Sequence, residues 1–292
     1  MKTELYYFSG TGNSLYAAEE TARRIEGSRL IPIIACNKKD RIKTNADAIG
    51  LVFPNFCLSV PIPVHQFLSN ADISSAEYIF AVCTRGGTVS QAFDFINKII
   101  KVQKKKLNAQ ININMPWNHP LGKENTPASA TDEEIAKLDR KMHEKLDEFC
   151  KAVINRESYI KKDTDITFKL PFIAGKLFLL LLSENINFKT HRHMYAKVIQ
   201  FYSDDKCTGC GICEQVCPNG KIKMADGKPV WQEKPDCLGC FACINYCPGK
   251  AIQIKSGFPV KSYTKTNDRY HHPSISYKDI AAQKQLPEDM AG

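Results

Sequence analysis

Eight of the twelve cysteines fall in two runs of the same form. Cys207, Cys210, Cys213 and Cys217 are followed by Pro218, and Cys237, Cys240, Cys243 and Cys247 by Pro248. Each cysteine of the first run recurs 30 residues later. The spacing C-x2-C-x2-C-x3-C-P is that of paired 4Fe–4S clusters, in which the fourth thiolate crosses to the other cube. One cluster should therefore use Cys207, Cys210, Cys213 and Cys247. The other should use Cys237, Cys240, Cys243 and Cys217. Zinc also takes cysteine pairs at this spacing, but it has no need of two interlocked runs that each end in proline. A disulfide framework would normally come with a secretory signal. The N-terminus, MKTELYYFSGTG, has no apolar core segment and no cleavage site. The expectation is reduced or metal-bound cysteines in a cytoplasmic protein.

A second group of residues suits a phosphate. Ser9-Gly10-Thr11-Gly12-Asn13-Ser14 follows an apolar run and opens a helical pattern. Its glycines allow a tight turn, and successive N–H groups at a helix start form a nest for an anion. Ser9, Thr11, Asn13 and Ser14 add short polar side chains around it. The hexapeptide is neither GxxxxGK[ST] nor GxGxxG. Without the lysine and a Walker aspartate, triphosphate hydrolysis is not expected.

These groups need a frame. Leu5–Phe8 reads as a short apolar strand and Asn13–Ile25 as a helix with Leu15, Ala18, Ala22 and Ile25 on one side. Strands are predicted at Leu30–Ile34, Ala48–Phe53, Tyr78–Cys83 and Leu107–Ile113. Helices are predicted at Val64–Leu68, Val89–Ile100 and Asp132–Ile154, the last opened by a Thr131–Glu134 capping box. Strand and helix alternate through five strands, which predicts an open parallel α/β sheet. Lys221–Met224 and Ala251–Ile254 occupy matching places after the cysteine runs and should form short strands.

With the Ser9–Ser14 loop in this position, residues 1 to about 155 resemble the flavodoxin-like family, whose first loop, Ser/Thr-x-Thr-Gly-x-Ser/Thr, holds the FMN phosphate. The resemblance implies a flavin across the C-terminal ends of the strands, flanked by Pro54-Asn55-Phe56-Cys57 and Thr84-Arg85-Gly86-Gly87. Phe56 supplies one aromatic for the ring, whereas the second loop has none. Arg85 has two readings: a cation that stabilises charge on a reduced flavin, or a loop-tip side chain in solvent. Cys57 and Cys83 are expected to be small buried hydrophobes. Trp117 is expected to cover the flavin or to contact the second module. His119 is read as a structural hydrogen-bonding group, with proton donation as its alternative.

Residues 201 to 257 resemble bacterial two-cluster ferredoxins at all eight ligand positions. Together the modules are similar to flavodoxin–ferredoxin fusion proteins. The expected fold is a flavodoxin-like open parallel sheet followed by a two-cluster ferredoxin-like α+β domain. The expected division is 1–160 for the FMN domain, 161–200 for a basic and apolar connector, helical in part, 201–258 for the cluster domain and 259–292 for a tail. The expected function is electron relay between FMN and the clusters, serving a redox protein partner. The alternatives are a flavin-dependent reductase of a quinone or nitro compound and a redox-sensing interaction protein.

Composition bounds the rest. Apolar residues make up 43% of 292 residues, enough to fill two cores. The net charge of +9 is densest in 161–200, where seven basic residues face three acidic ones. This suits an acidic protein partner better than nucleic acid, for which no reading motif is present. The most apolar stretch, residues 170–183, is shorter than the roughly 20 residues of a membrane span and contains Lys176. It is expected to dock the two modules together, with peripheral membrane contact as the alternative.

Overall fold

The computed structural model describes residues 2–39, 41–120, 131–167, 193–258 and 260–290. The first part is a six-stranded sheet of β1 (Thr3–Tyr7), β2 (Ser28–Pro32), β4 (Ala48–Pro54), β6 (Tyr78–Arg85), β7 (Ala109–Asn114) and β8 (Tyr159–Ile160). A small pair, β3 (Ile42–Lys43) with β5 (Ala71–Asp72), lies outside it. The spatial order is β2-β1-β4-β6-β7-β8, with every pairing parallel. Counted along the chain, the first five sheet strands run 2-1-3-4-5. That is the flavodoxin-like order, with its switch point at β1 and β4.

Central strands of such a sheet are covered on both faces and therefore read as continuous apolar runs. All eight residues of β6 are buried, Arg85 included. Side chains alternate between the faces. Tyr6, Phe8, Ile49, Leu51 and Phe53 pack with Phe67 of α3 (Ile62–Asn70) and Ile96 of α4 (Ala92–Ile100). Leu5, Val52, Phe80 and Val82 pack on the other face with Leu15 and Ala18 of α1 (Asn13–Arg24) and Leu146 and Phe149 of α5 (Asp132–Ile154). The capping box at Thr131 and Glu134 forms as its sequence predicts.

Three local expectations are corrected. The second strand ends at Pro32, and Ile33 and Ile34 open a short helix, α2 (Ile33–Cys36), because proline offers no N–H to continue the ladder. The helix expected from Val89 starts at Ala92, whose N–H is taken by Ser90 Oγ at 3.2 Å. The sheet gains a sixth strand, only two residues long.

The cysteine-rich part contains α6 (Ile212–Gln215) and α7 (Ala242–Asn245), again 30 residues apart. Its strands are β9 (Phe201–Ser203), β10 (Ile222–Ala225), β11 (Lys228–Trp231) and β12 (Ile252–Ile254). β10 and β11 form a hairpin around Asp226-Gly227, while β12 pairs with β9. The two expected short strands thus exist, each in its own two-stranded ribbon.

The cysteine-rich part packs on the sheet. Val216, Ala242 and Tyr246 join the α1/α5 core, and Leu238 joins the opposite one. Burial of Val216 and of Leu238 contributes about 1.5–3 kcal/mol each. The stretch 170–183, expected to do the docking, lies outside the described residues. The expected tail forms α8 (Tyr277–Ala282) behind a Ser276–Asp279 capping box, with Ile275 and Ile280 buried against α1 and α5. Among the described residues no helix is long and apolar enough to cross a membrane.

Candidate functional site

At the C-terminal edge of the sheet, β1 runs into the loop Ser9–Gly12 and then into α1. Gly12 caps the helix with φ +100°, a conformation L side chains rarely adopt. The first N–H groups of α1 have no partner within the helix and point into this turn. Ser9 Oγ accepts from Gly12 N at 3.1 Å, and Ser14 Oγ shares a hydrogen bond with Thr84 Oγ1 at 2.7 Å. Asn13 Nδ2 donates to the Pro116 carbonyl at 3.0 Å, and Asn118 Nδ2 donates to Thr11 Oγ1.

Ser9, Thr11, Asn13, Ser14, Pro54, Asn55, Phe56, Thr84, Arg85 and Gly86 all border one cavity of about 270 Å³. The sequence picked these residues out of three loops, and the fold brings them together. Gly12 and Gly87 stand behind the lining: a side chain at Gly12 would strike His272 and Ile275, and one at Gly87 would strike Thr167. Trp117 completes a wall by lying over Gly86, where a Cβ would come within 3.0 Å of its ring.

Arg85 is not the loop-tip side chain of one expectation. Its side chain has no exposure and forks onto both carboxylate oxygens of Asp163. Its Nε donates to Asn114 Oδ1 at 2.9 Å. Its charge therefore reaches the cavity already paired. Cys83 is buried as expected, but Cys57 is exposed. Cys57 and Leu58 both have positive φ in the turn that links Phe56 to Ser59, and this turns Cys57 out along the cavity rim.

The remaining wall comes from elsewhere in the chain. Tyr195, Gly239, Cys240 and Phe241 border the same cavity. Tyr195 Oη lies 3.4 Å from His119 Nε2, and the Phe241 ring meets both rings edge-on. Burial pushes His119 down to about 4, so it is neutral at pH 7. Gly10 touches the backbone of Cys240: a Cβ there would stand 2.5 Å from the Cys240 carbonyl oxygen.

The cysteines form two neighbouring groups. Cys207, Cys210, Cys213 and Cys247 line one small hollow, with the fourth thiol coming from the other run. Burial first, and then the neighbouring Cys247, Cys210 and Cys207, push the Cys213 thiol up to about 11. Burial likewise raises Cys243, with Cys240, Cys237, Cys217 and Cys213 adding to it. Cys247 thus stands with the three thiols of the first run, and Cys217 stands near Cys237, Cys240 and Cys243. Thiols so crowded are costly to ionise without a metal and release protons to one that binds. Backbone N–H groups already face sulfur, Ala251 N to Cys247 Sγ at 3.2 Å and Gly239 N to Cys237 Sγ at 3.5 Å. Such bonds also tune cluster potentials. Among the described residues, no three His, Cys, Asp or Glu side chains converge on a single ion.

Residues 206–252 match the family of 4Fe-4S dicluster domains. Solved structures give distant likenesses. One, assigned as a flavoprotein from Bacteroides uniformis, is 16% identical with a TM-score of 0.31 and covers 48% of this chain and 97% of its own. An azoreductase from Bacillus anthracis is 12% identical with a TM-score of 0.32, covering 51% of this chain and 100% of its own. The comparison with curated proteins gave no match. The chain thus joins a flavodoxin-like sheet to a 4Fe–4S dicluster domain.

Sequence reasoning missed Asp163, Tyr195, Phe241 and three residues near the C-terminus, Tyr270, His272 and Gln283. Tyr195 and Phe241 carry no motif. The other four act through polar contacts across long sequence separations.

Proposed function

We propose that this protein relays electrons between FMN in the cavity and two 4Fe–4S clusters in the cysteine groups, and that it exchanges them with a redox protein partner. The observation that carries the proposal is the place of Cys240. This ligand of the second cysteine group borders the cavity beside Gly10, so one residue belongs to both sites.

The cavity fits FMN by its donor set. The free N–H groups at the start of α1, with Ser9, Thr11, Asn13 and Ser14, would hold the phosphate. Pro54, Asn55, Phe56 and the Thr84–Gly87 segment would border the ring, with Trp117 as the second aromatic. A bound flavin exchanges electrons singly or in pairs, whereas each cluster passes one at a time. Tyr195 and Phe241 shield the cavity on the side of the cysteine-rich part. The first cysteine group includes the exposed Cys210 and is flanked by Lys206 and by Lys228, whose Nζ bonds the Cys207 carbonyl at 2.9 Å. An acidic partner would meet the chain there.

The second reading, reduction of a quinone or nitro compound at the flavin, draws on the His119–Tyr195 pair in the cavity wall. Rapid mixing with a one-electron donor under anaerobic conditions tests the relay. Cluster bleaching should be followed by flavin reduction at a rate independent of protein concentration. A rate proportional to protein concentration contradicts internal relay. Sustained quinone turnover with no acceptor protein supports the reductase reading.

A further inference from the structure

The loop Ser9–Ser14 is held from outside by a segment more than 250 residues away in sequence. Gln283 is wholly buried and grips Ser9 at both backbone groups. Ser9 N donates to Gln283 Oε1 at 2.9 Å, and Gln283 Nε2 donates to Ser9 O at 3.0 Å. One side chain thus makes the pair of bonds that a neighbouring strand would make, and it fixes the loop where β1 ends. His272 N donates to Thr11 O at 2.8 Å. Tyr270 Oη donates to Asn13 Oδ1 at 3.0 Å, which sets the orientation of that amide. Gly12 lies against His272 and Ile275.

The same segment holds the cluster domain. Tyr270 N donates to Asn245 Oδ1 at 3.1 Å, and Tyr246 Oη donates to the Ile275 carbonyl at 3.2 Å. Both partners belong to α7 or its C-terminal cap, just after Cys240 and Cys243.

We infer that residues 270–283 form a clamp that positions the phosphate loop, with Gln283 and Tyr270 as its positioning residues, and that phosphate binding is coupled to this segment. The inference rests on the reading of Ser9–Ser14 as a phosphate loop. Its physical basis is preorganisation. Ser9, Thr11 and Asn13 are tied by backbone or amide groups to the segment, so the remaining N–H groups need no ordering when an anion arrives. A loose loop would incur that ordering cost on binding.

The test uses the full chain with its clusters loaded and its flavin removed. FMN and riboflavin are titrated by flavin fluorescence into the native protein, Gln283→Ala and Tyr270→Phe. The expected result is an FMN affinity about tenfold weaker in Gln283→Ala and about threefold weaker in Tyr270→Phe. Riboflavin, which has no phosphate, should change by less than about twofold in either. Iron content and thermal melting monitor folding. If Gln283→Ala does not fold, Tyr270→Phe decides by the same comparison. Unchanged FMN affinity in the folded variants, or equal losses for the two ligands, overturns the clamp. Equal affinity of the native protein for FMN and riboflavin overturns the phosphate loop itself, and the clamp with it.

Discussion

Replacing Asp163 with alanine isolates one buried charge at the edge of the cavity. The Arg85 side chain has no solvent exposure, and both terminal nitrogens bond Asp163, Nη2 to Oδ1 at 2.6 Å. Asn112 Nδ2 adds a bond to Asp163 Oδ2 at 3.1 Å. Removing one partner of a buried ion pair costs roughly 3–5 kcal/mol, because the other charge is left without compensation. Asp163 itself keeps 29% exposure. Water can enter where its carboxylate stood, so the low end, about 3 kcal/mol, is expected. For a unit of this size each kcal/mol lowers the melting temperature by about 2–4 °C, which gives a fall of roughly 6–12 °C. Thermal unfolding followed by circular dichroism, with FMN in excess throughout, measures it. Arg85→Met with Asp163→Leu should recover most of the loss, since a packed apolar pair replaces the ions.

The pH dependence gives an independent check. Burial raises the Asp163 carboxyl, but the hydrogen bond and charge of Arg85 outweigh it and hold the group below its ordinary 3.8. A carboxyl depressed by folding stabilises the native state fully above its unfolded value and loses that contribution as pH falls through the folded value. The gap between native protein and Asp163→Ala should therefore be full at pH 7 and shrink below about pH 4. A loss under about 1 kcal/mol at pH 7, or a gap unchanged at low pH, would refute the argument.

Anaerobically reconstituted protein should carry one FMN with roughly eight irons and eight labile sulfides, and Cys217→Ser should impair the cluster built on Cys237, not its sequence neighbours; about four irons, or zinc in their place, rejects the two-cluster assignment. Thr11→Ala and Asn13→Ala should each weaken FMN by about 1–2 kcal/mol in calorimetric titration while leaving riboflavin nearly unaffected. Gly10→Val should slow cluster-to-flavin transfer with both cofactors retained, since its side chain would collide with the Cys240 backbone; an unchanged transfer rate would show that this contact does not set the path. Because burial lowers His119 from 6.5 to about 4, the unfolded chain binds a proton there at pH values where the native protein does not. Stability should thus fall as pH drops from about 6.5 to 4, His119→Asn should flatten that slope, and the His119 ring signals in NMR should not titrate between pH 7 and 5.

What was legible in the sequence was local. The spacing of the cysteine runs announces a 4Fe–4S dicluster domain and the crossed ligand sets proposed for it, because three thiolates at short intervals can wrap only one cube. The loop proposed to hold the phosphate is six consecutive residues between a strand and a helix, and the central strands are continuous apolar runs. The Thr131 cap lies three residues from its Glu134 partner. The rest depends on contacts that leave no pattern. Asp163 reaches Arg85 across 78 residues and Gln283 reaches Ser9 across 274. β8 is too short to show an alternation. Cys57 was expected inside because cysteine packs as a small hydrophobe, yet two successive non-glycine residues with positive φ turn it outward. Nothing in Phe56-Cys57-Leu58-Ser59 announces that turn.

Two adjacent residues of the C-terminal segment bear on how the sites depend on each other. Gln283 is turned inward onto Ser9, whereas Lys284 Nζ donates to the Gln215 carbonyl at 2.6 Å, at the end of α6. Cys217 follows two residues later, and it is the thiol that crosses to the second cysteine group. That group includes Cys240, which returns to Gly10 in the same loop that Gln283 holds. The contacts therefore close a ring: phosphate loop, C-terminal segment, α6, crossed cysteine, second group, phosphate loop. In a ring of short polar and backbone contacts, displacing one member strains its neighbours on both sides. Loss of the cluster at Cys217 should accordingly loosen the FMN phosphate loop, whereas a cluster domain tethered only through the connector would leave the loop indifferent to it.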